Sequence, residues 1–346
     1  MPCGLLRPLE EPLRPLVLDG RLRQPGEGSG LAGAAEGYPV TTLEFPLVGA
    51  GGEPVDLVRT LNSHGFVDLP PMRPAEDYRS VELTLRAGRG RPRTVRIHSG
   101  RDGHGALTIL GPAVSPAAAE RVAARVRHVL RLDANLSPFY AMAADDPDLT
   151  WTTAGAGRMI QSPTVFEDVV KTVCTTNCAW SATRRMVSAL VEHLGEAAPG
   201  APSEGPFGRT FPTPEAMAEA GEAFYRDTAR AGYRGAYLIQ LARAVAAGEI
   251  DLERYATATP DELPDEELER ELLELPGVGP YAAAHIMMTV GRYHRLILDS
   301  WSRPAYAKAL GRAELVPDRT IERRFRRYGP YAGLAFWLLI TRDWVD

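Results

Sequence analysis

The chain has 346 residues, 45% hydrophobic and 24% charged, with a formal net charge of −5, an ordinary composition for a soluble globular protein of one or two domains. No apolar run approaches the roughly 20 residues that span a bilayer, and the opening "MPCGLLRPLEEPLRPLVLDG" has Pro and Glu where a secretory signal needs an unbroken apolar core; a cytoplasmic protein without membrane attachment is expected. Three cysteines without framework spacing, Cys3, Cys174 and Cys178, argue against a disulfide scaffold and against a zinc or iron–sulfur site.

Residues 1–37, rich in Pro, Gly and Glu, are expected to form a poorly ordered leader. From residue 38 the pattern changes. "VTTLEFPLV", "SVELTLRA", "RTVRIHS" and "ALTIL" alternate apolar and polar residues between Gly, Pro or Asp, which predicts strands. "PVDLVRTLNSHG" spaces Val55, Leu57, Val58 and Leu61 as a short amphipathic helix closing at Gly65. "SPAAAERVAARVRHVLRL" predicts a helix capped by Ser115 ahead of Pro116. Residues 38–133 thus read as a small antiparallel sheet with helices on one face.

Beyond Asp133 the strand signal disappears. "PTVFEDVVKTVCTTNCAWSATRRMVSALVEHLG" predicts two helices joined at "TTNC", and "TPEAMAEAGEAFYRDT" and "YRGAYLIQLARAVAAG" two more. "DEELERELLELPGVGPYAAAHIMMTVG" and "RTIERRFRRYGPYAGLAFWLLITRDW" complete a bundle of eight to ten helices over residues 134–346. The expected class is α+β, a small antiparallel sheet domain followed by a mainly helical one.

The charge average hides an asymmetry: residues 251–274 are acidic, while 292–327 hold Arg292, Arg295, Arg303, Lys308, Arg312, Arg319, Arg323, Arg324, Arg326 and Arg327. The basic run is either a solvated face or a phosphate-facing patch.

"LELPGVGPYAAAHIMMTVGRYHRLILDSW", Leu273 to Trp301, carries the chemistry. Leu268, Leu272 and Leu275 share one helix face, Pro276 stops the helix, and Gly277 and Gly279 permit a tight hairpin with positive φ. Pro280 suits the first turn of the next helix. The N–H groups of Gly277 and Gly279 and the helix N-terminus then form an anion site that a phosphodiester can approach closely. Asp299 follows Leu296, Ile297 and Leu298, where a carboxylate costs folding energy unless it is rewarded nearby. It either caps the helix begun by "SWSRPAYAKALG" or does chemistry, or both.

"LPGVG" matches the helix-hairpin-helix element, and with Asp299 placed 20 residues after Gly279 the chain resembles the helix-hairpin-helix DNA glycosylase superfamily, in particular 8-oxoguanine and 3-methyladenine DNA glycosylases. "FEDVVKTVCTTNCAWSATRRMVSALVEHLG", "AGYRGAYLIQLARAV" and "FRRYGPYAGLAFWLLI" extend the resemblance over most of 134–346. It implies a catalytic Asp299, DNA contacts from Gly277, Val278, Gly279 and Asn177, and Na⁺ or K⁺ held by the carbonyls of Leu273, Leu275 and Val278. Bifunctional members carry a lysine where this chain has Tyr281, so the resemblance implies a monofunctional enzyme without strong β-lyase activity. With no cysteine after Cys178, the iron–sulfur loop of some members is not expected, and no cofactor is required.

His285, one turn after Tyr281, either lines a base pocket or is a satisfied core group. Trp301 either packs against an extruded nucleotide or joins the core. By the resemblance, Phe336 and Ile340 fall where 8-oxoguanine enzymes carry an amide and an aromatic that read the base; losing the amide points away from 8-oxoguanine and towards stacking on alkylated purines, and Phe336 and Trp337 either line that pocket or pack the core. Asn177 either fills the gap left by a flipped base or serves a turn. The implied function is excision of an alkylated or oxidised purine from double-stranded DNA by a monomeric, nucleoid-associated base-excision repair enzyme. The alternatives are a non-catalytic helix-hairpin-helix DNA-binding protein and a glycosylase scaffold acting on a free nucleoside.

Overall fold

The computed structural model describes residues 41–88 and 90–345; the leader expected over 1–37 lies outside them. Five strands form one antiparallel sheet: β1 (Thr41–Pro46), β2 (Met72–Pro74), β3 (Val81–Leu85), β4 (Arg93–Ser99) and β5 (His104–Ile109), in the order β1-β5-β4-β3-β2. The alternation read from sequence sets the register. Leu43 pairs with Leu107, Leu107 with Ile97 and Ile97 with Val81, an apolar row on one face. On the other face Thr84 and Thr94 share a hydroxyl hydrogen bond at 2.9 Å and Arg96 donates to Glu82 at 2.7 Å. The edge strand β2 escaped the sequence because it follows Pro70 and Pro71 and itself ends in Pro74, and proline suppresses the strand signal while tolerating an edge.

The buried face packs on α1 (Leu57–Leu61) and α2 (Pro116–Val129). Asp56 caps α1 by accepting from the Arg59 N–H at 2.9 Å, and Ser115 caps α2 through the Ala118 N–H at 3.3 Å, each worth about 1 kcal/mol.

Twelve helices follow among the described residues: α3 (Ser137–Ala143), α4 (Val165–Thr175), α5 (Trp180–Leu194), α6 (Pro214–Glu219), α7 (Gly221–Ala223), α8 (Arg234–Ala246), α9 (Arg254–Thr257), α10 (Asp265–Glu274), α11 (Pro280–Thr289), α12 (Ser302–Ala309), α13 (Asp318–Phe325) and α14 (Ala332–Thr341). The segment expected as one helix over "TPEAMAEAGEAFYRDT" is broken, because Gly221 at φ +73° ends α6 and a π-helical turn over Phe224–Thr228 follows α7.

The helices fill two cores. One is built by α4, α5, α8, α10 and one side of α11, the other by α3, α12, α13, α14 and the opposite side of α11. Ala282, Ala283, Ile286 and Met287 face the first; Ala284 and Met288 face the second. A helix apolar all round belongs between two layers, and α11 stands there. Phe66 and Leu69, from the loop after α1, enter the first helical core and tie the sheet to it.

A second tie is ionic. Arg158 and Glu53 pair at 2.6 Å with side chains 0% and 4% exposed, and Glu53 also accepts from the Leu136 N–H at 2.7 Å. Burial works against the Glu53 charge, but these hydrogen bonds and the guanidinium hold its carboxyl below the usual range.

Much of the charge asymmetry is internal. Arg292 pairs with Asp265 at 2.6 Å and Arg295 with Glu269 at 2.5 Å, so the acidic α10 neutralises the basic loop that follows α11. Arg303 forks onto Asp318 at 2.8 and 2.9 Å, Arg324 meets Asp148 at 2.5 Å, and Arg327 meets Asp146. These five side chains of the proposed phosphate patch are already paired within the protein.

Candidate active site and nucleic-acid interface

Asp299 sits at the start of α12, on the side of α11 that carries Tyr281. Its Oδ1 accepts from the Ser302 N–H at 2.6 Å and the Trp301 N–H at 2.9 Å, and its own N–H donates to Ser302 Oγ at 2.8 Å. This reciprocal capping box fixes the carboxylate. The side chain is half-buried, and Oδ2 makes no hydrogen bond among the described residues. One oxygen caps the helix and the other is uncommitted.

The Asp299 charge reaches Tyr281. Burial first, and this carboxylate after it, push the phenol above its ordinary range against a hydrogen bond with Thr175 Oγ1 at 3.4 Å. Tyr281 therefore joins the start of α11 to the end of α4.

One turn along, His285 is buried, and its ring lies 4.9 Å from Phe66, 5.8 Å from His64 and 6.1 Å from Tyr281. Burial pushes its pKa down to about 4, and Nδ1 has no hydrogen-bond partner. His64 is satisfied: one ring nitrogen meets the Ile160 carbonyl at 2.5 Å and the other accepts from the Phe66 N–H at 3.3 Å, which fixes the Nε2–H tautomer. Burial, with His285 and Lys171 nearby, lowers His64 to about 3. Both imidazoles are neutral at physiological pH.

The tryptophans gather as a triangle. Trp301 lies 5.6 Å from Trp337 and 5.4 Å from Trp344, and Trp337 donates its indole N–H to the Ser63 carbonyl at 2.7 Å. Trp301 is 42% exposed, next to the Asp299 turn. Phe336 points elsewhere. Its ring is fully buried against Tyr306 and Phe325 at 5.8 and 5.4 Å, so the expected pocket role is replaced by core packing, and one position along, Trp337 faces the site. Ile340 is only partly buried and packs against the second helical core.

The hairpin follows "PGVG" with one correction. Gly277 has φ +80°, and a Cβ there would lie 3.0 Å from the Tyr237 ring, so both conformation and packing require glycine. Gly279 instead has φ −105° and ψ −175°, extended backbone open to any residue, and a Cβ there would meet nothing within 4 Å. The Leu275 carbonyl accepts from the Val278 N–H at 3.1 Å; among the described residues the Leu273 and Val278 carbonyls accept no hydrogen bond.

Asn177 is exposed at φ +47° between α4 and α5 and donates to the Tyr233 hydroxyl at 3.3 Å. Asn tolerates that left-handed geometry best after Gly. Tyr233 and Tyr237 stand exposed at the start of α8, between Asn177 and Gly277. The helical pattern of "YRGAYLIQLARAVAAG" did not single out these tyrosines, nor did spacing single out His64 and Phe66, which a segment after α1 delivers. Only the unusual exposure of two tyrosines one turn apart distinguishes the first pair.

Two hollows lie elsewhere. One of about 20 Å³ is lined by Arg59, Ser63, Trp151, Trp344 and Val345 among others. An open one of about 550 Å³ lies between Asp145–Asp148 and Arg327–Tyr328. Asp299 borders neither of these two, and the Phe66 ring lies 4.9 Å from His285. Among the described residues no cluster of three or more His, Cys, Asp or Glu is placed to hold a metal ion, and no helix is long and apolar enough to cross a membrane.

No protein-family model and no curated protein sequence matches the chain, but solved structures do. The 3-methyladenine DNA glycosylase from Archaeoglobus fulgidus superposes with a TM-score of 0.65 at 17% identity, over 88% of this chain and 99% of that one. MBOgg1 in complex with a low-affinity DNA ligand gives 0.64 at 16%, over 90% and 98%. The Clostridium acetobutylicum 8-oxoguanine glycosylase/lyase, in complex with double-stranded DNA containing cytosine opposite 8-oxoG, gives 0.62 at 18%, over 88% and 95%. The chain has the α+β fold of these DNA glycosylases.

Proposed function

We propose that the protein is a DNA glycosylase that swings a damaged purine, alkylated or oxidised, out of duplex DNA and hydrolyses its N-glycosidic bond. The observation that carries this reading is the uncommitted oxygen of Asp299, held by a capping box between the hairpin and the tryptophan triangle. Extruding a nucleotide costs a few kcal/mol, and bond cleavage makes the sugar oxocarbenium-like. A fixed carboxylate stabilises that charge and orients or deprotonates the attacking water.

The hairpin is the strand grip in this reading. Gly279 has neither a φ nor a packing need for glycine, which suits a phosphate approaching the N-terminus of α11. The carbonyls of Leu273, Leu275 and Val278 are the proposed Na⁺ or K⁺ ligands, two of them free of hydrogen bonds and the third retaining a lone pair. When bound, the ion offsets phosphate charge. Asn177, hydrogen-bonded to Tyr233, is the side chain this reading assigns to the gap left by the extruded nucleotide. Trp301, the exposed ring beside Asp299, takes the base by stacking, with Trp337 packed behind it. Tyr281 has no amine, so hydrolysis leaves an abasic site in an intact strand.

A second reading, a non-catalytic DNA-binding protein of this fold, is favoured by one observation: Asp299 borders neither formed hollow. The test is base release from duplexes carrying alkylated, oxidised, deaminated or mispaired bases, with borohydride trapping alongside. The glycosylase reading expects release of at least one base, strand scission only after alkali, and no trapped adduct. A trapped adduct overturns the monofunctional mode; tight duplex binding without release from any substrate favours the second reading.

A further inference from the structure

Arg59 lies on α1, in the sheet domain, yet its side chain serves the far end of the chain. Nη1 donates to the Arg342 carbonyl at 3.1 Å and Nη2 to the Val345 carbonyl at 2.8 Å. The guanidinium carbon lies over the Trp151 ring, 4.5 Å from its centroid. The two accepting carbonyls bracket Trp344, whose ring rests on Trp301 at 5.4 Å and Trp337 at 5.9 Å. Trp301 in turn donates its backbone N–H to Asp299 Oδ1 at 2.9 Å. A continuous set of contacts thus runs from Arg59 through residues 342–345 and Trp344 to the turn that fixes the carboxylate.

Three features mark this as a built element. A planar fork can hold two carbonyls at once and stack on an indole, which an ammonium cannot do. The hollow beneath Trp344, about 20 Å³, has room for little more than one water, so the segment is seated on its support. Trp344 and Trp301 nevertheless remain 44% and 42% exposed, a large aromatic surface left uncovered beside Asp299. Such rings stack on nucleobases irrespective of sequence.

We propose that residues 342–345 form a strap, latched by Arg59, whose Trp344 completes the aromatic wall beside Asp299 and sets the position of Trp301 for the extruded base. The role of the wall rests on the glycosylase reading, whereas the latch does not. Arg59 is a positioning residue, acting through Trp344.

The test compares Arg59→Ala, Trp344→Ala and Trp344→Phe with the wild-type full chain. Near-ultraviolet circular dichroism reads the coupling among the clustered indoles. Single-turnover base release is measured on whichever duplex the wild type cleaves, and affinity on an abasic-analogue duplex. The expected result is loss of the coupled-indole signal in Arg59→Ala as in Trp344→Ala. Base release falls roughly tenfold in both, the loss of one stacking contact, with affinity within about twofold, and Trp344→Phe retains most of the rate. Persistence of the signal in Arg59→Ala overturns the latch; loss of the signal with wild-type rates overturns the wall. If Arg59→Ala does not fold, Arg59→Lys replaces it, with a smaller change of the same sign expected and wild-type values overturning the latch. If the wild type releases no base from any duplex, the glycosylase reading and the wall fall together. The spectrum then decides the latch: lost signal upholds it and unchanged signal overturns it.

Discussion

His285 shows how burial turns a titratable side chain into a fixed one. Held at about 4, against an ordinary value near 6.5, it refuses a proton that the unfolded chain accepts between those values. Folding stability carried by His285 is therefore lost as pH falls from about 6.5 through about 4, and His64, at about 3, acts with the same sign. Asp168, pushed up to about 7 by burial, opposes them, since the folded chain holds its proton where the unfolded chain has released it. An NMR titration is expected to find the His285 imidazole neutral from pH 8 to about 5.5, and His285→Asn to flatten the acid limb of the stability curve. A His285 pKa near 6.5 would contradict the enclosure described here. Position, spacing and residue type made His285 and Asp299 visible in the sequence. Which of Phe336 and Trp337 faces the site was not, because α14 is apolar all round and its periodicity points nowhere.

The hairpin separates what the fold needs from what a ligand needs. Gly277→Ala forces a side chain into φ +80° and onto Tyr237, and chemical denaturation is expected to show a loss of about 1–2 kcal/mol or more. Gly279→Ala meets nothing within 4 Å, so its stability should match the wild type while affinity for an abasic-analogue duplex falls roughly tenfold, the cost of displacing one charge-assisted phosphate contact. Unchanged affinity in Gly279→Ala would remove the hairpin from the DNA interface. Elements with a local code were legible: the alternating strands, the Ser115 cap, the proline-glycine break between α10 and α11. Elements decided by distant partners were not. The basic run after residue 292 read as a possible phosphate patch because nothing local announces that Asp265, Glu269 and Asp318 answer it.

At the scale of the whole molecule, α11 is the shared wall of two helical cores, and the candidate site lies where its first turn approaches the start of α12. The sheet domain contributes by reach, sending His64 and Phe66 against His285 and Arg59 to the strap. That convergence of segments far apart in the chain is what single-sequence spacing cannot convey. It also defines the most direct test of the central claim. Asparagine caps a helix as well as aspartate does, so Asp299→Asn keeps the turn and removes only the charge. Single-turnover base release by Asp299→Asn is predicted to fall by about 10²-fold or more, with duplex affinity and melting temperature close to wild type. Base release by Asp299→Asn at the wild-type rate would show that the carboxylate is a cap and nothing more.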